Sequence, residues 1–181
     1  MSSRIIKIHG CSGSGKSTAV RSLMGTNPFP MPIIGMNGKV EAMRISPHIF
    51  TLGSYEQACG GVDTIDSADT VMKLIDKYAI LGHVVFEGLL QSTYYGRMGA
   101  HSVKYGWDYI YAFMDTPIDL CLDRVVARRA TSGRNNKFNP ELTRDKHRTI
   151  DALRRKLEGG THRVVVLKHD QPMTPQLLEL L

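Results

Sequence analysis

The sequence is poor in the features that mark membrane, secreted and metal-scaffold proteins. No run among its 181 residues approaches the ~18 uninterrupted apolar residues of a membrane span. Strand-forming residues begin at Arg4, which leaves no room for a signal peptide. The three cysteines are an odd number, which argues against a disulfide framework, and neither they nor the seven histidines have metal-ligand spacing. These absences predict a cytoplasmic protein in a reducing compartment.

Internal repeats and low-complexity tracts are also missing. A hydrophobic content of 42% with 22% charged residues is ordinary for a globular protein. The length fits one domain over residues 1–181, long enough to bury a core. No pattern in the sequence indicates an oligomeric state.

A glycine-rich loop near the start of the chain is its most specific feature. It follows G-x-x-x-x-G-K-[ST], the phosphate-binding loop of nucleoside triphosphate enzymes, through Gly10, Cys11, Ser12, Gly13, Ser14, Gly15, Lys16 and Ser17. Glycines let the backbone approach a phosphate without a Cβ in the way, and the following helix N-terminus attracts anions. A Gly/Ser-rich turn that fits the pattern by chance is the alternative, but a β-rich run before the loop and a helical run after it favour the motif.

The loop predicts two ligands, ATP and Mg²⁺. Lys16 is expected to reach the β- and γ-phosphates, and the Ser17 hydroxyl to bind the metal. Thr18, next along the chain, completes the expected nucleotide-binding set.

Strands alternate with helices along the rest of the chain. The pattern predicts strands over residues 4–9, 45–52, 83–88, 108–114 and 163–167, and helices over 16–25, 67–81, 117–131, 140–157 and 175–181. This alternation predicts an α/β fold of the P-loop NTPase and kinase type: a parallel five-stranded sheet with helices on both faces. Residues 26–43 are expected to form a loop or small excursion with a role in substrate binding, because prolines interrupt them and they are too long for a plain connector.

Two carboxylates are candidates for chemistry at the carboxyl edge of this sheet. Glu87 ends an apolar strand and is predicted to bind Mg²⁺ or to serve the acceptor hydroxyl, although a strand-end surface charge is the simpler alternative. Asp63 follows Gly60 and Gly61 and is the second candidate, with helix capping as its alternative. The sequence leaves open which of the two acts as the general base.

Three arginines predict a cationic lid. Arg124 and Arg128 stand four residues apart on one helix with Arg129 beside them, and a break after the helix could act as a hinge. We expect Arg124 and Arg128 to act in catalysis, Arg129 to bind the nucleotide, and the lid to span about 124–140. A solvated basic helix face is the alternative.

Positive charge is concentrated late in the chain. Residues 120–168 hold 13 Lys and Arg against 5 Asp and Glu, a local charge of +8, while the whole chain carries +6. This excess fits either a basic lid with a solvated face or a polyanionic substrate such as nucleic acid.

Several motifs together resemble small P-loop kinases of nucleosides, nucleotides and metabolites. The general resemblance lies in residues 10–18, 113–117, Arg124 and residues 128–129. A narrower resemblance, to bacteriophage kinases that phosphorylate 5-hydroxymethyluracil within DNA, lies in residues 60–65, 86–90, 95–97, 127–129 and 137–140. The likeness covers roughly residues 5 to 148.

The narrower resemblance implies an ATP-dependent kinase that transfers the γ-phosphoryl group to the 5-hydroxymethyl group in DNA, in the host cytoplasm if the chain is phage-encoded. Against a thymidylate substrate, Glu87 and Gly88 stand where thymidylate kinases carry Asp-Arg. The DNA backbone is then expected at Lys137, Arg144, Lys146, Arg148, Arg154 and Arg155. Tyr94, Tyr95 and Trp107 are candidates for stacking on bases, with packing in the core as the commoner alternative for such aromatics.

Two other functions remain open from the sequence. A kinase of a free nucleotide or small metabolite would share the same loop, including the gluconate kinases. A nucleotide switch without transfer is disfavoured, because the Asn-Lys-x-Asp and Asp-x-x-Gly stretches of GTPases are absent.

Overall fold

A seven-stranded sheet forms the centre of the protein in the computed structural model, which describes residues 3–56, 60–88, 95–131 and 138–181. The strands are β1 (Arg4–His9), β2 (Met31–Ile34), β3 (Val40–Ser46), β4 (Ile49–Leu52), β5 (His83–Glu87), β6 (Asp108–Met114) and β7 (Arg163–Leu167). Their order across the sheet is β2-β3-β4-β5-β1-β6-β7.

Six α-helices and one 3₁₀ turn connect the strands within the described ranges. They are α1 (Lys16–Met24), the 3₁₀ turn (Val62–Thr64), α2 (Ala68–Ala79), α3 (Tyr95–Tyr105), α4 (Ile118–Thr131), α5 (Pro140–Glu158) and α6 (Met173–Leu178). Ser67 caps α2 as expected, since its hydroxyl accepts from the Thr70 amide at 3.1 Å. None of the helices in the described ranges is both long and apolar enough to cross a membrane.

The prediction of a five-stranded parallel sheet is wrong in its strand count. Five strands, β4, β5, β1, β6 and β7, do run parallel, but β2 and β3 extend the sheet as an antiparallel hairpin. The hairpin occupies residues that were expected to be irregular because of their prolines. β2 tolerates Pro32 because it is the edge strand, where a missing N–H leaves no neighbour without a partner.

The predicted strand over residues 45–52 is divided between β3 and β4. The two strands pair antiparallel around Pro47 and His48, which turn the chain. Proline cannot donate to a ladder hydrogen bond, so the apolar run could not continue through this point as one central strand.

Alternation of side chains in β1 divides the core into two layers. Ile5 packs on one face with side chains from α2, α3 and α5, while Ile6 and Ile8 pack on the other with those of α1 and α6. This arrangement follows from the two-residue period of a strand. Helices therefore cover both faces, as predicted.

The parallel strands bring five connections to one edge of the sheet. The glycine-rich loop follows β1, the 3₁₀ turn follows β4, Glu87 ends β5, and the β6 and β7 connections lie beside them. The carboxyl edge of such a sheet is where ligands bind in open α/β folds.

Candidate active site

The glycine-rich loop is shaped by positive backbone angles and by close packing. Gly13 and Gly15 have φ of 82° and 95°, a region that favours glycine. A Cβ at Gly13 would collide with the carbonyl of Cys121 in α4. The start of α4 therefore buttresses the loop, and the Thr116 hydroxyl fastens it by donating to the Ser14 carbonyl at 2.7 Å.

The loop has the features of a phosphate cradle. Lys16 is buried, and its ammonium donates to the Cys11 carbonyl at 3.1 Å, which holds it across the loop. The buried Ser14 hydroxyl has no hydrogen-bond partner among the described residues. A site that leaves a polar atom unsatisfied beside a buried cation fits an anionic ligand such as a triphosphate.

Glu87 is brought directly to the end of this loop. Its Oε1 accepts a 2.7 Å hydrogen bond from the Ser17 hydroxyl, and the side chain is only 2% exposed. Burial raises the pKa of Glu87, against the opposing effects of Lys16 and the Ser17 hydrogen bond. A carboxylate and a hydroxyl at this separation are oxygen ligands of the type that Mg²⁺ prefers, so the residues present fit the metal.

Asp63 lies in the 3₁₀ turn, and close packing at Gly61 and Gly88 brings this turn beside Glu87. A Cβ at Gly61 would collide with the Glu87 carbonyl and lie 2.8 Å from its Oε1. A Cβ at Gly88 would lie 3.0 Å from Asp63 Oδ1. The two glycines thus allow both carboxylates to enter one site.

One cavity of about 560 Å³ collects most of the predicted site residues. Its lining includes Ser12, Gly13, Ser14, Gly15, Lys16, Ser17, Thr18, Asp63, Glu87, Arg124 and Arg128. The loop residues Gly10 and Cys11 are not part of the lining, and a Cβ at Gly10 would collide with the Ser14 hydroxyl. The volume is within the roughly 300–1,000 Å³ range of small-molecule sites.

Two of the three predicted lid arginines reach this cavity. The Arg124 guanidinium approaches the Gly13 carbonyl at 3.4 Å, and Arg128 lines the cavity one turn later. Arg129 lies instead over the Phe138 ring, 5.7 Å from its centre. Residues 132–137 of the predicted lid lie outside the described residues.

The cavity also contains residues that the sequence reasoning missed. Arg21 donates to the Tyr55 carbonyl at 3.1 and 3.2 Å, and its spacing of four from Ser17 could have placed it on the same helix face. His169 follows β7 and bonds Asp115 through its backbone amide at 2.7 Å. The sequence signal that could have identified His169 is its position directly after a parallel strand, at the edge of the sheet where ligands bind.

The arginines of α5 that were expected to bind DNA are largely paired with carboxylates. Arg154 and Arg155 contact Asp151 at 3.1 and 2.8 Å, and Arg144 contacts Glu141 at 3.5 Å. Arg148 is likewise paired, with Asp145. The Arg148 and Arg155 side chains remain exposed and those of Arg144 and Arg154 are half-buried, and ion pairs at a protein surface add little to stability.

The predicted stacking aromatics are partly engaged in packing. Tyr95 and Trp107 are half-buried against the core, and the Tyr95 hydroxyl accepts from Lys156. Tyr94 and Lys137 lie outside the described residues.

Comparison with known proteins identifies the family of the chain. The model of the family described as 5-hmdU DNA kinase matches residues 2–167. A protein of Pseudomonas phage PaMx11 named 5-hmdU DNA kinase is 35% identical over 175 residues, covering 92% of each chain. A protein of the same name from Pseudomonas phage M6 is 31% identical over 164 residues, covering 84% of each.

A solved structure supports the fold independently. Deoxyadenosine kinase from M. mycoides superposes with a TM-score of 0.51 at 13% sequence identity, covering 97% of this chain and 96% of that one. At this identity the likeness concerns the α/β kinase fold.

Proposed function

The chain belongs to the 5-hmdU DNA kinase family, and we propose that it transfers the γ-phosphoryl group of ATP to the 5-hydroxymethyl group of 5-hydroxymethyluracil in DNA. The observation that carries the proposal is the Ser17–Glu87 hydrogen bond. It holds a buried carboxylate beside the glycine-rich loop, which supports the proposal because phosphoryl transfer needs a carboxylate close to the phosphates.

We propose that the loop residues 10–18 bind the nucleotide. Lys16 would neutralise charge on the β- and γ-phosphates, and the backbone N–H groups would bind phosphate oxygens. Arg124 and Arg128 would stabilise charge on the moving phosphoryl group, because guanidinium stays charged and binds phosphate in a fork. Arg129 lies over the Phe138 ring outside the cavity lining, so the proposal gives it no contact with the nucleotide.

The metal site of the proposal consists of Ser17 and Glu87. When bound, Mg²⁺ would neutralise charge on the phosphate oxygens. Ser17 and Glu87 are held together by their own hydrogen bond, so the two oxygen ligands are positioned before a metal arrives.

Either Glu87 or Asp63 could accept the proton of the acceptor alcohol. The alcohol oxygen attacks the γ-phosphorus, its proton passes to the carboxylate, and the bond to the β–γ bridging oxygen breaks to release ADP. If Glu87 is committed to the metal, Asp63 is the carboxylate left for the proton. We therefore assign Asp63 as the general base and Glu87 as the metal ligand.

A DNA acceptor agrees with the distribution of charge. The local +8 runs from α4, at the cavity, to β7. Helix α5 carries 6 Lys and Arg and 4 Asp and Glu, so most of the excess positive charge lies outside this helix. A duplex bound across α4 would have its phosphates near this excess, and the base would reach the cavity from the groove or after leaving the stack.

An acceptor panel with labelled ATP tests the proposal. The panel holds DNA with 5-hydroxymethyluracil, unmodified DNA, free nucleosides and nucleotides, and gluconate. We expect label only in the modified DNA, and loss of about 10²-fold or more in kcat for Lys16→Met, the range for removing a charge that stabilises the transition state. Transfer to free nucleotides alone would contradict the DNA acceptor, and full turnover by Lys16→Met would contradict the site itself.

A further inference from the structure

A lysine lies fully buried in the central strand of the sheet. Lys7 lies in the middle of β1, a strand that pairs with β5 on one side and with β6 on the other, and 0% of its surface is exposed. Its neighbours in the strand are the apolar residues Ile6 and Ile8. Lysine is almost never fully buried unless it is paired.

The Lys7 ammonium is not paired with a carboxylate in the part of the chain that the structure describes. It donates one hydrogen bond, 3.2 Å long, to the backbone carbonyl of Gly88, and lies 4.9 Å from the centre of the Phe86 ring. Burial lowers the pKa of Lys7 to about 7, with Glu87 acting in the opposite direction.

The stability of the fold does not account for this lysine. A buried ammonium without a carboxylate partner loses its hydration, and a carbonyl and a ring replace only part of it. A methionine would fill similar space in the strand and would bury no charge. A residue that costs stability where an apolar side chain would fit is expected at functional sites.

The residue that accepts the hydrogen bond from Lys7 is close to both candidate carboxylates. Gly88 directly follows Glu87 and packs so closely on the 3₁₀ turn that a Cβ there would lie 3.0 Å from Asp63 Oδ1. On the other side, Gly61 packs on the Glu87 carbonyl and side chain. A shift of the Gly88 peptide would therefore move Glu87 relative to Asp63.

We propose that Lys7 is a positioning residue, whose ammonium holds the Gly88 peptide and thereby sets how Glu87 and Asp63 face the reacting groups. The proposal rests on the proposed function, because it needs both carboxylates to act in phosphoryl transfer. Lys7 acts through Gly88 and touches neither substrate.

The test compares activity with stability in Lys7→Met. We expect kcat to fall roughly 10- to 100-fold, which is the range for groups that orient the residues of a site without contacting the ligand themselves. KM for ATP should stay within about twofold, since the loop is untouched. The midpoint of urea unfolding at pH 7 should stay the same or rise, because a buried charge has been removed.

Ile5→Val is the matched control, two residues earlier on the same face of β1. It should lower the unfolding midpoint through lost packing and leave kcat unchanged. A loss of kcat without a loss of stability in Lys7→Met, together with the reverse in Ile5→Val, would support the positioning role. Replacing a residue that only packs in the core would lower stability rather than kcat.

Three results would overturn the inference: wild-type kcat in Lys7→Met, a variant that fails to fold, or a kcat loss matched by Ile5→Val at equal destabilisation. Failure of the proposed function is separate. If the proposed function is wrong, the wild-type protein will leave DNA with 5-hydroxymethyluracil unlabelled. Lys7→Met and the wild type would then be compared on whichever acceptor in the panel is labelled.

Discussion

The Ser17 hydroxyl donates a 2.7 Å hydrogen bond to Oε1 of Glu87, joining the first turn of α1 to the end of β5. The two residues are far apart in sequence and meet because β1 and β5 are adjacent parallel strands. These two residues, from two different elements of the fold, are the ones that would hold Mg²⁺ in the proposed function.

Glu87→Gln is expected to separate charge from shape at this position. The amide keeps the side-chain volume but removes the negative charge that would hold the metal, so kcat should fall by about 10²-fold or more and the Mg²⁺ concentration for half-maximal rate should rise. Turnover measured across a Mg²⁺ titration checks both effects. Glu41→Gln, a carboxylate bonded to Tyr78 outside the cavity, should leave the Mg²⁺ requirement unchanged.

Asp63→Asn is expected to affect the chemical step alone. Loss of a general base should lower kcat by about 10²- to 10⁴-fold with little change in KM for ATP or in the Mg²⁺ requirement. Single-turnover kinetics with prebound ATP would isolate that step. Wild-type rates in both Asp63→Asn and Glu87→Gln would show that neither carboxylate has its assigned role.

Gly61→Ala is expected to damage the site through contact as well as strain. Gly61 has φ of 72°, and an added Cβ would collide with the Glu87 carbonyl. Gly38→Ala is the control, with a φ of 76° and no atom within 4 Å of the added Cβ. The control should lose about 1 kcal/mol of unfolding free energy from backbone strain and keep its activity, whereas Gly61→Ala should lose more stability and most of its kcat.

Equal stability and kcat in the two glycine variants would contradict the close packing between Gly61 and Glu87. Chemical denaturation and the acceptor assay give the two readouts.

Lys7 is expected to make the stability of the fold depend on pH. The pKa of Lys7 is lowered to about 7 from 10.5, so between these values the unfolded chain binds a proton that the folded chain does not. Stability should therefore rise with pH from about 7 to 10.5, with the full penalty present below pH 7.

Lys7→Met should remove this rise. The gain in unfolding free energy over the wild type should be larger at pH 6 than at pH 9 by roughly 2–3 kcal/mol, because the stability of the wild type rises only between pH 7 and pH 9 in this window and one pKa unit is worth about 1.4 kcal/mol. Urea denaturation of both proteins at the two pH values measures it. A constant difference between the proteins would show that Lys7 keeps an ordinary pKa in the fold.

DNA binding is expected to weaken steeply with salt, and exposed cations of α5 test whether a duplex bound across α4 also contacts this neighbouring helix. Lys146→Gln with Arg148→Gln should raise KM for modified DNA, leave KM for ATP unchanged and reduce the slope of log K against log salt by about 2, if each cation contacts one phosphate. Lys73→Gln, an exposed lysine on α2, is the control for charge alone. An unchanged slope in the double variant would show that the DNA does not contact these two cations of α5.

Local patterns were enough to predict the loop and most of the elements around it. The glycine spacing of residues 10–17, the β-rich run before it and the helix after it are properties of neighbouring residues, and the structure has them where they were expected. The strands over residues 108–114 and 163–167 also match, because each is a short apolar run closed by turn residues.

The hairpin of β2 and β3 was not predicted because its stability depends on non-local pairing. Prolines at 30 and 32 argue for a loop when only neighbours are considered, but Pro30 precedes β2, and Pro32 is acceptable within it because β2 lies at the edge of the sheet. The same limit applies to Arg21 and His169, which enter the cavity from elements whose order across the sheet is not written in any local pattern.

The sequence by itself determined the glycine-rich loop, the alternation of strands and helices, and the candidate set of Lys16, Ser17, Asp63 and Glu87, because these depend on residue type and short spacing. Only the tertiary structure decided that Glu87 meets Ser17 and that Lys7 supports the peptide behind Glu87. The reason is physical: strand order and glycine packing set distances between residues remote in the chain, and local propensity carries no information about them.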